Sequence, residues 1–410
     1  MEGFIYPNEA EVAWSVNIVI YTYITGLVAG AFVISSLYHV FGIRSLRPVA
    51  RFSLIASLAF LMVAPLPLLF HAGHPERAAV NMLFTPNLTS AMAAFGFIWF
   101  GYLVLVIAEV LLVFRRDMVS YAKSSKGVLR WLYLALLLGI ENPSEESFAA
   151  NERVIRVLAL LGIPGAMVLH GYVGFIFGAV KAMAWWSTPL MPVIFLLSAI
   201  VSGIALIMVL YTLLSILRGK GVDHPTVISL SRWLLGFLAL DLTLEALEVV
   251  SMAYEGEESW EMISQLITRV IPVSYLGIQL GMGTLLPLVV LGVMAARGLK
   301  GRLSSTLASL SGFLVLVGVL AMRWNVIIGG QLLSKSLRGF TSYIPPLLGM
   351  EGLLISAVLL ALPFAILGVS LYLLPPWLVE VAPEEERPAF RAIPGVRRGG
   401  LARQGVRFGR

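Results

Sequence analysis

Apolar runs of about 20 residues recur along this chain, and that recurrence constrains the fold more than any other feature. A helix needs about 20 apolar residues to cross ~30 Å of hydrocarbon. Nine such runs are present, at about 15–42, 50–70, 89–114, 153–180, 189–217, 226–252, 272–296, 304–328 and 349–374. Only helices and closed barrels satisfy their own backbone hydrogen bonds in lipid. The alternating ten-residue strands of a barrel are missing. The expectation is therefore an all-α, polytopic transmembrane helical bundle of about nine spans, within a range of eight to ten. Composition agrees: 59% of the 410 residues are hydrophobic and 13% charged, about half the charged share of a soluble domain.

Two shorter segments, Gly127–Ile140 and Glu258–Val270, are amphipathic and read as interfacial rather than spanning. A crossing by the first would raise the count to ten. The opening residues, Met1-Glu2-Gly3-Phe4 with Glu9 and Glu11 after them, lack the basic start and small-residue cleavage site of a signal peptide. The first span is expected to be retained.

Loop charge orients the bundle. Arg44, Arg47 and Arg51, then Arg115, Arg116, Lys123, Lys126 and Arg130, then Arg218 and Lys220, then Arg297, Lys300 and Arg302 all fall on one side of a nine-span map. So do Arg397, Arg398, Arg403, Arg407 and Arg410 of the tail. The other side receives the acidic start, the 71–77 loop, the near-neutral loop 181–188 and the acidic group around Glu255, Glu257, Glu258 and Glu261; only Lys335 and Arg338 run against the bias. The positive-inside rule then puts the N-terminus outside and the C-terminus in the cytoplasm. Residues 1–378 read as one integral membrane domain in the cell membrane, and 379–410 as a flexible basic cytoplasmic tail.

The net charge of +6 is thus a topology signal, not a nucleic-acid surface. With no cysteine, the chain cannot ligate an iron–sulfur cluster through thiolates or form a disulfide.

The polar residues carry the chemistry. His71-Ala72-Gly73-His74-Pro75-Glu76-Arg77 puts two of the five histidines, an acid and an arginine in a short link between spans two and three. The bland reading is a Glu76–Arg77 salt bridge, a turn set by Pro75 and a helix capped by His74. The functional reading is proton chemistry at a membrane surface. In span six, Asp241, Glu245 and Glu248 are spaced i, i+4, i+7, on one face and ~10 Å from end to end. Three acids so close would repel one another in low dielectric, which calls for a proton or a cationic partner. Arg323 in span eight is a candidate partner at similar depth to Glu248, unless it snorkels to the interface. A proton path and a structural polar seam both fit these acids. His170 in span four reads as a hydrogen-bonded core residue; no pair of mid-membrane histidines stands ready for a haem. Glu109, just before Arg115, is expected to reach the interface, and Trp185, Trp186 and Trp377 to join the aromatic belts.

Five segments occur in a telling order: Gly26-Leu27-Val28-Ala29-Gly30-Ala31, Gly73-His74-Pro75-Glu76-Arg77, Thr89-Ser90-Ala91-Met92, Pro192-Val193-Ile194-Phe195-Leu196-Leu197-Ser198-Ala199 and Arg323-Trp324-Asn325-Val326-Ile327-Ile328-Gly329-Gly330-Gln331. Over residues ~10–375 the chain resembles the NrfD / polysulfide reductase membrane-subunit family. The likeness is to its long branch, with the membrane subunits of tetrathionate reductase and of the sulfite-reduction-associated complex. The resemblance implies a haem-free quinol/quinone oxidoreductase subunit. Such a subunit binds quinone or menaquinone as substrate near its outer end. It exchanges electrons with an extracytoplasmic four-cluster ferredoxin-like iron–sulfur subunit, often joined to a molybdopterin catalytic subunit. By position, the implied pocket takes Asn17 and Tyr21 from span one and His71, His74, Glu76 and Arg77 from the mouth of span two. The chain departs from many relatives in having His71 where they have an acid, and from some in having Tyr21 where they have histidine. Protons would then travel by Asp241, Glu245, Glu248 and Arg323. The rival readings are a proton-coupled secondary transporter, for which an internal repeat would be expected, and a purely structural anchor.

Overall fold

Eight helices among the described residues are long and apolar enough to cross a membrane. The structure is a computed structural model that describes residues 2–7, 10–85, 87, 89–256 and 258–377, apart from the side chains at 2, 78, 79, 81–83 and 92. The expected tail at 379–410 lies outside the described residues, as do Glu9 and Glu257. Every described element belongs to one unit, Met1–Pro376.

The first half of the chain contains β1 (Glu2–Phe4), α1 (Val16–His39), α2 (Arg47–Val63), α3 (Leu66–His71), α4 (Pro75–Phe84), α5 (Ala91–Val113), α6 (Arg115–Ser124), α7 (Val128–Leu136), α8 (Glu145–Gly178) and α9 (Met191–Leu217). The second half contains α10 (His224–Glu255), α11 (Glu258–Gln265), α12 (Leu286–Ala296), α13 (Arg302–Trp324), α14 (Gly330–Leu332), β2 (Arg338–Phe340) and α15 (Leu353–Leu373). Leu266–Val270, Val273–Leu285 and Asn325–Gly329 are wound as π-helix. The second of these runs straight into α12.

Helix ends follow from local chemistry. Span two is two helices because Pro65 and Pro67 interrupt it, giving α2 and then the short α3. α8 starts at Glu145, earlier than its apolar run. Ser144 caps it by accepting from the Ser147 amide at 3.2 Å, and Glu145 and Glu146 occupy the positive first turn. α7 has 9 residues, a rise of about 14 Å, so 127–140 does not cross. α10 is a further long helix, at 32 residues, outside those eight, and it carries Arg232, Asp241, Glu245 and Glu248.

α1 is the axis of the bundle, with 94% of its apolar window buried, against 22–28% for α5, α8, α15 and the helix of residues 273–296, which face lipid. Small residues allow this. A Cβ at Gly30 would stand 2.1 Å from the Ala199 carbonyl oxygen, and one at Gly203 2.3 Å from the Gly30 Cα. α1 and α9 therefore cross backbone to backbone, as small-residue pairs permit in membranes.

The turns sort by charge. At one end, Thr226 donates to the Ser45 carbonyl at 3.3 Å, His224 Nδ1 meets Ser305 Oγ at 2.8 Å, and Arg51 pairs with Asp117. These contacts gather the Arg-rich turns, and this is the basic end. At the other, Gln331 Oε1 accepts from the Trp14 amide at 2.9 Å, and its Nε2 donates to the Trp14 carbonyl at 3.0 Å. There β1 pairs antiparallel with β2, Glu2 opposite Phe340. This small clasp departs from a purely helical expectation; backbone groups outside the helices find each other.

Candidate functional site

The 71–77 cluster divides in space. His71 ends α3, and its Nδ1 lies 2.6 Å from Glu351 Oε1 and 3.2 Å from Ser15 Oγ. His74 occupies the N-cap position of α4 without a side-chain cap bond, Pro75 takes the first turn, and Glu76 follows at the positive helix end. His74 Nδ1 and Glu76 Oε1 are 3.4 Å apart with both side chains about two-thirds exposed. Arg77 is exposed, and among the described residues no ion pair joins it to Glu76. The expected loop is thus a helix, and only His71 turns into the packed wall.

That wall is built on α1. Asn17 is fully buried: its Nδ2 donates to the Met350 carbonyl at 2.9 Å, and its Oδ1 accepts from Ser356 Oγ at 2.9 Å. These bonds hold the chain around Glu351 against the start of α1. One turn further along α1, the Tyr21 ring meets Phe95 edge-on at 5.0 Å, and its buried hydroxyl has no hydrogen-bond partner among the described residues. Tyr21 lines an apolar crevice with Trp14, Leu68, Phe95 and Phe177. Leu68 stands one turn before His71 in α3. The crevice holds about 20 Å³, room for about one water. A larger ring enters only if these side chains swing apart.

A second group lies inside the bundle. Arg323 is fully buried in α13 and does not snorkel. Its Nη2 donates to His170 Nε2 at 3.1 Å, to Ser198 Oγ at 2.6 Å and to the Phe195 carbonyl at 3.4 Å, and its guanidinium covers the Phe195 ring at 4.0 Å. A guanidinium only donates, so His170 Nε2 accepts and the proton of the neutral imidazole sits on Nδ1. The Arg323–Glu248 ion pair suggested by matching depth is not made; similar height along two helices does not fix which faces meet. Asp241 and Glu245 instead feel the Arg323 charge at longer range. Glu245 Oε2 accepts from Gln279 Nε2 at 3.2 Å, and Gln279 Oε1 accepts from Asn325 Nδ2 at 2.8 Å. Gln279 and Asn325 both sit in π-helical turns, where the widened spacing re-aims side chains. Asp241 Oδ1 and Glu248 Oε1 are buried without a hydrogen-bond partner among the described residues. Glu248 faces Thr188.

Two sequence expectations are corrected. Glu109 does not reach the interface: it is fully buried, because α5 turns it inward against the bundle. Trp186 is not in an interfacial belt: it is buried, stacks on Trp14 at 4.9 Å and donates to the Val326 carbonyl at 2.5 Å. The deciding observation for kinship is where the ordered motifs meet. A Cβ on Gly26 would stand 3.2 Å from His170 Cε1. Phe195 and Ser198 come from the fourth of the ordered motifs, in α9, and Arg323 and Asn325 from the last. Three separated motifs thus converge on one buried cluster.

The family model described as polysulphide reductase, NrfD, matches residues 7–334. The chain belongs to the NrfD family. It is 29% identical over 325 residues to the C component of selenate reductase from Mesobacillus selenatarsenatis, covering 77% of this protein and 73% of that one. It is 26% identical over 326 residues to the C component of polysulfide reductase from Wolinella succinogenes, covering 78% and 95%. Protein NrfD of Escherichia coli matches over 221 residues at 26%, covering 52% and 63%. Family membership and the apolar helices together make the chain a multi-pass membrane protein.

Proposed function

We propose that this NrfD-family chain is the quinone-reactive membrane subunit of a respiratory reductase complex. In this reading it passes electrons between membrane quinol or menaquinol and an extracytoplasmic iron–sulfur subunit, itself joined to a molybdopterin catalytic subunit. The observation that carries the reading is the Tyr21 hydroxyl: buried, unpartnered among the described residues, and on the wall of an apolar crevice. A quinone is an apolar ring with two polar oxygens, so it matches a crevice that offers apolar walls and one unused hydroxyl. Orientation rests on the positive-inside rule: the basic end is assigned to the cytoplasm and the His71 end to the outside.

Quinol oxidation releases two electrons and two protons. With Nδ1 held by Glu351, His71 keeps the Nε2 lone pair for a proton, and the acid orients the ring. Tyr21 donates to, or accepts from, a quinone oxygen. His74, Glu76 and Arg77 lie on the exposed face of α4, where they serve the outer mouth rather than the ring itself. The Asp241, Glu245, Glu248 and Arg323 group is the proposed proton path, with Gln279 and Asn325 as its neutral links. The relatives named for selenate and polysulfide favour a selenium or sulfur acceptor for the complex.

The test is binding to the full chain in lipid nanodiscs. A menaquinone analogue is expected to quench tryptophan fluorescence, with less quenching in Trp14→Phe, where Trp186 remains as a reporter, and weaker binding in Tyr21→Phe. An analogue that neither quenches nor inhibits quinol-dependent electron transfer in the complex overturns the reading. Substrate transport by the isolated chain favours the transporter instead.

A further inference from the structure

Glu109 stands apart from both groups described above. It is fully buried in α5, and neither carboxyl oxygen has a hydrogen-bond partner among the described residues. Buried polar groups are nearly always paired, and an ionisable group at membrane depth is a functional site by default.

Its neighbours form a line. Phe95, Tyr102 and Glu109 are buried and spaced by seven, which puts them on one stripe of α5, each about 10 Å below the last. Phe95 packs on Tyr21 at the crevice. Tyr102 meets Phe32 of α1 at 5.5 Å, and its buried hydroxyl is also unpartnered among the described residues. One turn beyond Phe32 in α1, Ser36 presents another such hydroxyl.

The far end of the line is polar as well. α5 and α8 run antiparallel in steady register: a Cβ on Gly165 would touch the Tyr102 ring at 3.0 Å, one on Gly162 would touch Leu105 at 3.2 Å, and Arg115 Nη1 donates to Asn151 Oδ1 at 2.9 Å. Glu109 therefore lies between the Tyr102 and Arg115 levels. Arg115 also donates to Ser147 Oγ at 3.0 Å, and Asn151 keeps a buried Nδ2 without a partner among the described residues. Buried groups without partners among the described residues thus recur at the Tyr21, Tyr102, Glu109 and Asn151 levels, from the crevice to the basic end of the bundle.

We propose that Glu109 is a proton station on a second route, which joins the Tyr21 crevice to the basic end through Tyr102 above it and the Arg115–Asn151 pair below it. In each cycle the carboxyl O–H bond breaks as its proton passes Asn151 to water at the basic end, which accepts it, and the bond re-forms with a proton from a quinol O–H at the crevice, relayed by Tyr102, which gives up one hydroxyl proton as it takes another. One proton moves from the quinol to water, and Tyr102 and Glu109 end each cycle unchanged. The link to the crevice rests on the quinone reading; the exchange with the basic end does not.

Infrared spectroscopy of the full chain in lipid nanodiscs reads the carbonyl stretch of a protonated carboxylic acid. The expected result is a band that is absent in Glu109→Gln and shifts within minutes of transfer to deuterated water. In Asn151→Leu that shift slows by about tenfold, the weight of one lost hydrogen bond. Tyr102→Phe keeps the band and its deuterium shift but loses the change caused by adding a menaquinone analogue. The proposal is overturned if no band is lost in Glu109→Gln, if the band resists deuterium for hours, or if Tyr102→Phe responds to the bound analogue as the parent does. Failure of the analogue to quench Trp14 sinks the quinone reading, while deuterium exchange at Glu109 still decides the station.

Discussion

Removing the Tyr21 hydroxyl should move stability and affinity in opposite directions. Tyr21→Phe keeps the ring, so the 5.0 Å edge contact with Phe95 and the apolar packing of the crevice cancel in the comparison. What disappears is one buried hydroxyl without a partner among the described residues. Leaving such a group dry costs about 1–3 kcal/mol, so its loss should stabilise the folded chain by up to that amount. If the hydroxyl bonds a quinone oxygen, the same change removes about 0.5–1.5 kcal/mol of binding, roughly a 2- to 12-fold rise in Kd. Unfolding in mixed micelles measures the first effect, and tryptophan quenching by a menaquinone analogue the second. A variant that is less stable and binds unchanged would refute the reasoning, because it would make the hydroxyl a structural group satisfied inside the protein.

Four further outcomes follow from other contacts. His71→Ala and Glu351→Gln should each lower quinol-dependent electron transfer, the histidine change by about 10²–10⁴-fold as for loss of a general base. His74→Ala should leave stability within about 0.5 kcal/mol, because its link to Glu76 is exposed. Ser198→Ala, which deletes a 2.6 Å bond from a buried guanidinium, should destabilise by about 1.5–3 kcal/mol on thermal or detergent unfolding. Gly203→Ala should cost at least about 3 kcal/mol, since the new Cβ would stand 2.3 Å from backbone that cannot yield, whereas Gly171→Ala, with open space around it, should gain about 0.5–1 kcal/mol in helix stability.

The spans were legible because bilayer thickness imposes a length that the eye can count, and the basic turns were legible because they repeat at every second link. What escaped was rotation. Arg323 and Glu248 share a height, yet the face of α13 that carries Arg323 looks toward α8 and α9, where His170, Ser198 and Phe195 wait. Glu109 looked interfacial from its distance to Arg115, but α5 presents it inward. Nothing in a run of apolar letters distinguishes the lipid side of a helix from the packed side, because both are apolar. Gln279 and Asn325 were hidden for a different reason: π-helical turns break the 3.6-residue spacing on which face assignments rest. Glu351 was in view, at the start of the last span, but only the fold brings it to His71.

The antiparallel clasp of β1 and β2, together with the Trp14–Gln331 bonds, joins segments 317 or more residues apart in the chain. At about 5–20 residues per second, a ribosome needs roughly 15–60 s to make the stretch between them. For that interval the first strand and the Trp14 segment are without their binding site, and the floor of the crevice is open. Completion of the end of the bundle that carries β1 and β2 is therefore a late event in biogenesis, after synthesis of α13.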